Sequence, residues 1–302
     1  MTLRLFSTIA LTVSIAASIA HPTLAHEAAS QCPKVTIVAA RGSEQNSNLI
    51  PTRYSEQAPA SFGSNGFEGE NIRGMLKHAE ARYAQLHPGE SLLKDVDIIG
   101  LDHSVYPALL PVPELAKQGE VLSLWETFTR AVKILWQTPL FSIIDHAVRN
   151  LYESILTGIG HTPEFLARYE HETGCQPDYI FTGYSQGAII LSTHERYFAQ
   201  RGKLRGVVYL GNPYMRIEDH AQHVFGNPLY GIGMLSAVPL QRGTVPRINY
   251  CLANDFTCDS SLRGMLKSSG TGGGTHPTYF MPEHSRHSDD ELVDLLAQWI
   301  NK

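Results

Sequence analysis

The stretch that decides the fold is Gly183-Tyr184-Ser185-Gln186-Gly187, which fits the nucleophile-elbow pattern G-x-S-x-G. A run of β-branched and aromatic residues at 179–182 precedes it and predicts a buried strand. A run without Gly or Pro at 188–200 follows it and predicts a helix. Bare matches also arise in ordinary turns, so the flanking strand and helix carry the interpretation. Together they predict a strained turn that exposes the hydroxyl of Ser185 as a nucleophile.

Strands and helices alternate along the rest of the chain. Strand candidates lie at 35–39, 96–99, 179–182, 207–210 and 247–250. Helical patterns lie at 71–86 and 188–200, and a helix at 289–300 with one apolar face closes the chain. This alternation predicts an α/β fold with a central, mostly parallel, five-stranded sheet covered on both faces. Active sites of such sheets lie at the carboxyl ends of the strands.

Composition narrows the class of protein. A hydrophobic content of 43% with 18% charged residues is typical of a globular chain that can bury a core. At 302 residues, the chain could hold one large domain or two small ones. The net charge of −5 and the lack of a basic run give no support to nucleic-acid binding. We therefore expect no nucleic-acid partner.

The first residues have the pattern of a secretory signal peptide. Arg4 forms a short positive region, residues 5–20 are mostly apolar, and Thr23-Leu24-Ala25 is a small-residue cleavage site. Cleavage after Ala20 is the alternative, and retention of the segment as a membrane anchor is another. The pattern predicts removal of residues 1–25 and export of a single domain at 26–302.

Export gives meaning to the four cysteines, because disulfides persist outside the cytosol. Cys251 and Cys258 are seven residues apart and suit a small local loop. Cys32 and Cys175 each precede a predicted strand, so a bridge forms readily if the two strands are neighbours. Of the three possible pairings, we predict these two. A zinc site is the alternative, but the paired C-x-x-C spacing is missing.

The order of the remaining catalytic candidates follows from the elbow. In sheets of this type the serine is followed in the chain by an acid and then by a histidine. Asp255 lies just past the last predicted strand and inside the small disulfide loop, with Asp259 as the alternative acid. Three histidines follow and compete for the role of base, namely His276, His284 and His287. A metal site at the last two is less favoured than solvated side chains.

Several motifs at matching positions resemble those of the cutinases and the cutinase-like esterases of actinobacteria. These enzymes carry Ala-Arg-Gly-Ser after the first strand, Gly-Tyr-Ser-Gln-Gly-Ala at the elbow, Cys-x-x-x-Asp-x-x-Cys around the acid and His-x-x-Tyr at the base. The matching residues here are Ala40 to Ser43, Gly183 to Ala188, Cys251 with Asp255 and Cys258, and His276 with Tyr279. Cys32 and Cys175 also correspond.

The resemblance implies a secreted α/β-hydrolase that cleaves ester or lipid substrates with Ser185, Asp255 and His276. The oxyanion hole would combine the backbone N–H of Gln186 with Ser43, through its N–H and its hydroxyl. No metal or organic cofactor is expected. The protein would act as a monomer, with peripheral contact to a lipid surface or the cell envelope.

The chain departs from compact cutinases in length. Residues 111–160 and 214–245 are expanded, and the gap between Cys258 and His276 is long. Apolar stripes of helical spacing at 121–135 and 141–155 admit two interpretations of the first expansion. They predict either two helices packed into the core or on each other, or an acyl-binding lid over the serine. In the second case, Trp125, Phe128 and Trp136 would lie near the acyl pocket.

Two other functions remain open at this stage. An acyltransferase would pass the acyl group to a sugar acceptor instead of water, and its products would differ. A non-catalytic secreted binding protein on the same scaffold would not react with a serine-directed fluorophosphonate. The identity of the ester, from short soluble esters to long-chain glycolipids, is not encoded by these motifs.

Overall fold

Six short strands form one sheet in the described part of the chain, and the central ones are rich in β-branched and aromatic residues. The computed structural model describes residues 31–110, 140–221, 223–226, 232–261 and 274–302. Its strands are β1 (Val35–Ala40), β2 (Val96–Gly100), β3 (Asp178–Tyr184), β4 (Leu204–Leu210), β5 (His223–Gly226) and β6 (Arg247–Cys251). They pair in parallel in the order β2-β1-β3-β4-β6-β5. The predicted α/β class with a central parallel sheet is confirmed, whereas the prediction of five strands is wrong.

The strand that the sequence did not reveal is β5. It has four residues, lies at the edge of the sheet beside β6, and leaves both of its end residues exposed. An edge strand buries less of its surface than a central one, so it does not need a continuous apolar run. The signal for β5 is therefore weak in the sequence.

Helices cover both faces of the sheet. In chain order they are α1 (Glu70–Leu86), α2 (Leu140–Thr173), α3 (Gln186–Ser192), α4 (Glu195–Gln200) and α5 (His287–Asn301). One apolar core joins α1 and α5 to one face of the sheet, and a second core joins α2, α3 and α4 to the other. This arrangement gives three layers, with one large buried core on each face of the sheet.

The helix predicted at 188–200 is interrupted after Ser192. The hydroxyls of Ser192 and Thr193 donate to the carbonyl oxygens of Ile189 and Ile190, at 3.0 and 2.6 Å. Such hydroxyl groups compete with the backbone N–H groups for helical carbonyls and favour helix ends. The predicted single helix is therefore divided into α3 and α4.

One long helix, α2, directly precedes β3 in the described part of the chain. Residues 111–139, with the predicted stripe at 121–135, lie outside the described residues. Helix α2 runs past the predicted boundary at residue 160, and Val148 of the second stripe is 57% exposed. The buried face instead includes Gly158, where a Cβ would come within 2.5 Å of Ile190 on α3. The small residue allows α2 and α3 to approach closely.

Both predicted disulfides are present. Cys32–Cys175 joins the segments that enter the neighbouring strands β1 and β3, and Cys251–Cys258 closes the loop after β6. The predicted signal peptide at 1–25 lies outside the described residues. None of the helices within the described ranges combines the length and apolar character that a membrane crossing needs.

Candidate active site

The turn between β3 and α3 holds Ser185 in a strained backbone conformation. Its φ is 53° and its ψ is −117°, and its N–H donates to the carbonyl oxygen of Leu210 at 3.0 Å. The glycine two positions later is required by close packing, because a Cβ on Gly187 would lie 1.9 Å from the carbonyl oxygen of Ala40. The sequence predicted this strained strand–turn–helix, and the structure contains it.

Three side chains meet at the carboxyl edge of the sheet. The Oγ of Ser185 lies 2.8 Å from Nε2 of His276. The other ring nitrogen, Nδ1, lies 2.8 and 2.9 Å from the two carboxylate oxygens of Asp255. Ser185 follows β3, Asp255 follows β6, and His276 begins a short 3₁₀ turn at His276–Thr278. This geometry provides a path for a proton from the hydroxyl to an imidazole that a carboxylate orients.

The competing candidates lie elsewhere. His284 is exposed in a second 3₁₀ turn, Pro282–His284, and His287 is exposed at the start of α5, 3.4 Å from Glu291. Asp259 is buried, but its carboxylate accepts from the N–H of Ser261 at 3.4 Å. Of the candidates left open by the sequence, the structure therefore brings His276 and Asp255 to the serine.

The carboxylate of Asp255 is fully buried inside the Cys251–Cys258 loop. Its oxygens accept from the N–H of Thr257 at 2.9 Å and from the hydroxyl of Tyr279 at 2.6 Å. Burial alone would raise the pKa of Asp255, but His276, Tyr279 and the Thr257 amide together hold it below its ordinary value. The carboxylate thus stays charged where it faces the imidazole.

Two residues around the imidazole were not predicted as site residues. The ring of Tyr184 stacks on His276 at 4.9 Å between centroids, and its hydroxyl donates to the carbonyl oxygen of His276 at 2.9 Å. Gly211 has a φ of 56°, and a Cβ there would lie 2.7 Å from His276 and 2.8 Å from Asp255. The Gly-Asn-Pro turn signal after β4 marks this glycine in the sequence. Any side chain at 211 would separate base and acid.

The opposite flank of the serine is organised around the side chain of Gln186. Its Oε1 accepts from the hydroxyl of Ser43 at 3.2 Å and from the hydroxyl of Tyr106 at 2.7 Å. Its Nε2 donates to the carbonyl oxygen of Leu151 on α2 at 3.3 Å. Ser43 and Gln186, which the sequence predicted as a pair, are therefore adjacent. In this structure the Ser43 hydroxyl is directed to the glutamine.

A buried guanidinium holds the loop that carries Ser43. Arg41 is fully buried and donates to the carbonyl oxygens of Leu101 and Tyr106, at 2.6 and 3.0 Å, and to Oδ1 of Asn46 at 3.1 Å. Burial lowers the pKa of Arg41 from its usual value. This residue belongs to a motif that the sequence singled out, but its role needed long-range contacts to be seen. It ties the loop after β1 to the loop after β2.

Two further predictions concern the lid residues and a metal site. Trp125, Phe128 and Trp136, the residues of the predicted lid, lie outside the described ranges. Across the described ranges, no group of three or more His, Cys, Asp or Glu side chains is arranged to hold a metal ion.

Comparison with known proteins gives distant structural matches. No family model and no curated protein matches the chain. A cutinase-like protein from Cryptococcus sp. is similar at 16% identity and a TM-score of 0.40, over 90% of this chain and 95% of that one. An acetylxylan esterase matches at 12% identity and a TM-score of 0.43, over 89% and 99%. Lysin B from mycobacteriophage D29 matches at 14% identity and a TM-score of 0.37, over 89% of both chains.

Proposed function

We propose that this protein is a serine esterase that hydrolyses carboxylic esters with Ser185, His276 and Asp255. One observation carries the proposal: the hydroxyl of Ser185, in a strained turn, lies 2.8 Å from an imidazole whose other nitrogen faces a buried carboxylate. A serine hydroxyl is a weak nucleophile until an adjacent base accepts its proton. The three side chains supply the nucleophile, the base and the group that orients the base.

The proposed reaction begins when Oγ of Ser185 attacks the ester carbonyl and forms a new C–O bond. Nε2 of His276 accepts the proton of the hydroxyl, and Asp255 stabilises the imidazolium through Nδ1–H. The carbonyl π electrons move to the oxygen and form a tetrahedral oxyanion. When that oxyanion collapses, the ester C–O bond breaks and His276 returns its proton to the leaving alcohol. Water then attacks the acyl-enzyme in the same way, with His276 accepting its proton. The bond to Oγ of Ser185 breaks, His276 returns the proton to Oγ, and the acid is released.

The oxyanion would be stabilised from the Gln186 flank. The proposed donors are the backbone N–H of Gln186, the residue after the nucleophile, and the N–H and hydroxyl of Ser43. For its hydroxyl to act, Ser43 would have to rotate its O–H from Oε1 of Gln186 toward the substrate oxygen. The proposed mechanism uses no metal or organic cofactor.

We also propose that the enzyme works outside the cytosol, on lipid or polyester substrates or acyl glycolipids. The two disulfides support an oxidising compartment, since such bonds are rare in the cytosol. The signal-peptide pattern of residues 1–25 supports the same proposal. A series of esters of increasing acyl length would measure the preferred chain length.

The test is Ser185→Ala on the protein without residues 1–25, assayed with a series of esters of increasing acyl length. Loss of the nucleophile should lower kcat by about 10⁴-fold or more and abolish labelling by a fluorophosphonate. Ser192→Ala is the matched control. It removes a serine hydroxyl from α3, the helix that follows Ser185, and this hydroxyl donates to the carbonyl oxygen of Ile189 and not to His276. Substantial turnover or labelling of a folded Ser185→Ala protein would refute the proposal. Product analysis with a sugar acceptor would identify acyl transfer.

A further inference from the structure

A buried phenol shares the carboxylate that faces the imidazole. The hydroxyl of Tyr279 donates to Oδ2 of Asp255 at 2.6 Å and accepts from the N–H of Leu252 at 3.0 Å. The side chain is fully buried, and its ring is packed edge-on against those of Tyr250 and Tyr184, with centroids 5.2 and 6.0 Å away. The phenol therefore has a fixed donor direction and a fixed position.

The oxygen of Asp255 that accepts from Tyr279 also lies within hydrogen-bond distance of His276. Oδ2 of Asp255 is 2.9 Å from Nδ1 of His276. A carboxylate oxygen that already accepts one hydrogen bond is a weaker acceptor for a second one. This inference rests on the proposed esterase mechanism. We propose that Tyr279 is a positioning residue that weakens the attraction of Asp255 for the proton of the His276 imidazolium. Tyr279 thereby sets the pH below which activity falls.

The protonation states of the two partners support this role. Burial, together with the nearby charge of Asp255, raises the pKa of Tyr279 well above its ordinary value, so the phenol remains a donor through the working pH range. The pKa of Asp255 stays below its ordinary value despite burial, with Tyr279 among the causes. A neutral donor thus faces a charged acceptor throughout.

Other polar groups near this pair have separate partners. Tyr184, on β3, directs its hydroxyl to the carbonyl oxygen of His276. Tyr250, on β6, donates to the carboxylate of Asp289 on α5 at 2.5 Å. Arg286, before α5, donates to the carbonyl oxygen of Thr278 at 3.1 Å and to its hydroxyl at 2.8 Å. The Thr257 amide is the backbone donor to the Asp255 carboxylate.

Removal of the phenol hydroxyl has a defined direction. In Tyr279→Phe, the Asp255 carboxylate would lose one donor, and its charge would act more strongly on the imidazolium. His276 would then hold its proton to higher pH, and the carboxylate itself would become easier to protonate. Both changes move the acidic limb of the rate profile toward higher pH.

The experiment measures the pH dependence of the rate at which a fluorophosphonate modifies Ser185, so no natural substrate is needed. We expect the acidic limb of Tyr279→Phe to move up by about 0.5–1 pH unit, with a plateau rate within about tenfold of wild type. Tyr250→Phe is the matched control, since it also removes a buried phenol–carboxylate bond from the same ring cluster. Its limb should stay in place. An unmoved limb in Tyr279→Phe, or equal shifts in both variants, would overturn the inference.

A second measurement covers the case in which Tyr279→Phe does not fold. Site-specific replacement of Tyr279 by 3,5-difluorotyrosine retains the hydroxyl and makes it a stronger donor, so the limb should move to lower pH. No shift, or a shift in the opposite direction, would refute the role of Tyr279. If wild-type Ser185 does not react with the probe at any pH, the proposed esterase function fails, and that outcome is distinct from an unmoved limb.

Discussion

The two flanks of Ser185 are built in different ways. On the acid–base flank, one buried carboxylate accepts from a ring nitrogen, a phenol and an amide, and a disulfide closes the loop around it. On the opposite side lie the residues of the proposed oxyanion hole, and we call this side the oxyanion flank. There the carboxamide of Gln186 accepts from two hydroxyls, and Ser43 is only partly buried. The first flank fixes a charge in place. The second holds neutral groups that can exchange partners.

On the proposed esterase mechanism, this difference separates two catalytic requirements. The base must be oriented before the substrate arrives, so its acid is charged, dehydrated and supplied with donors. The oxyanion forms only during the reaction, so its donors need a resting partner that they can leave. Arg41 keeps the oxyanion loop attached to the rest of the sheet edge while the hydroxyl of Ser43 remains exchangeable.

The largest effect should come from the acid–base flank. His276→Ala removes the group that accepts the Ser185 proton, and we expect kcat to fall by about 10⁴-fold. His284→Ala, an exposed histidine eight residues later, is the control and should keep wild-type kcat. Steady-state kinetics on one activated ester would measure both. A large loss in His284→Ala with a small loss in His276→Ala would place the base in the second turn.

An intermediate effect is expected on the oxyanion flank. Ser43→Ala removes one proposed donor and should lower kcat by about 10²-fold, since one such donor is worth on the order of 3 kcal/mol. Tyr106→Phe removes the other hydroxyl that bonds to the same oxygen of Gln186 and should cost only a few-fold. Similar losses in the two variants would mean that Ser43 acts by holding Gln186 rather than by binding the oxyanion.

A smaller effect on rate than that of Ser43→Ala should come from the disulfide around the acid. The small loop contributes on the order of 2–3 kcal/mol by chain entropy. Its additional task is to hold Asp255, so Cys251→Ser/Cys258→Ser should lose about tenfold in kcat at temperatures where it is still folded.

The control for this variant is Cys32→Ser/Cys175→Ser, which opens a loop of 143 residues. That bridge lies where β1 and β3 begin, whereas Asp255 follows the end of β6. It should lower Tm more, since a loop of that length contributes about 5 kcal/mol, and leave kcat unchanged while folded. Thermal unfolding and kcat would be measured on both variants. Unchanged kcat in the Cys251→Ser/Cys258→Ser protein would make its disulfide purely structural.

The central strands and the elbow could be predicted because their signals are local. Strands such as β1 and β3 are continuous buried runs, and the Ser185 turn has glycines where close packing excludes a Cβ. The position of Asp255 was also readable, because a short cysteine loop restricts where the chain can go. Local pattern and local geometry agree in these segments.

Features that depend on distant contacts were harder to predict. The hydrogen bonds of Arg41 and Tyr279 join residues that are distant in the chain. Arg41 donates to Leu101, and Tyr279 accepts from Leu252. The edge strand β5 has too few buried residues to give a period. The exposed position of Val148 on α2 reflects which face meets α3, and helical spacing alone does not specify that face.

The Cys32–Cys175 disulfide has a consequence for how the molecule responds to proteases. It encloses the chain from before β1 to before β3, with the Ser43 loop inside and Ser185, Asp255 and His276 beyond it. One cleavage between residues 33 and 174 would therefore leave two pieces that remain covalently attached. Such a nicked molecule would keep its full mass until a reductant is added. Separation of the oxyanion loop from the nucleophile thus requires two chemical events, a broken peptide bond and a broken disulfide.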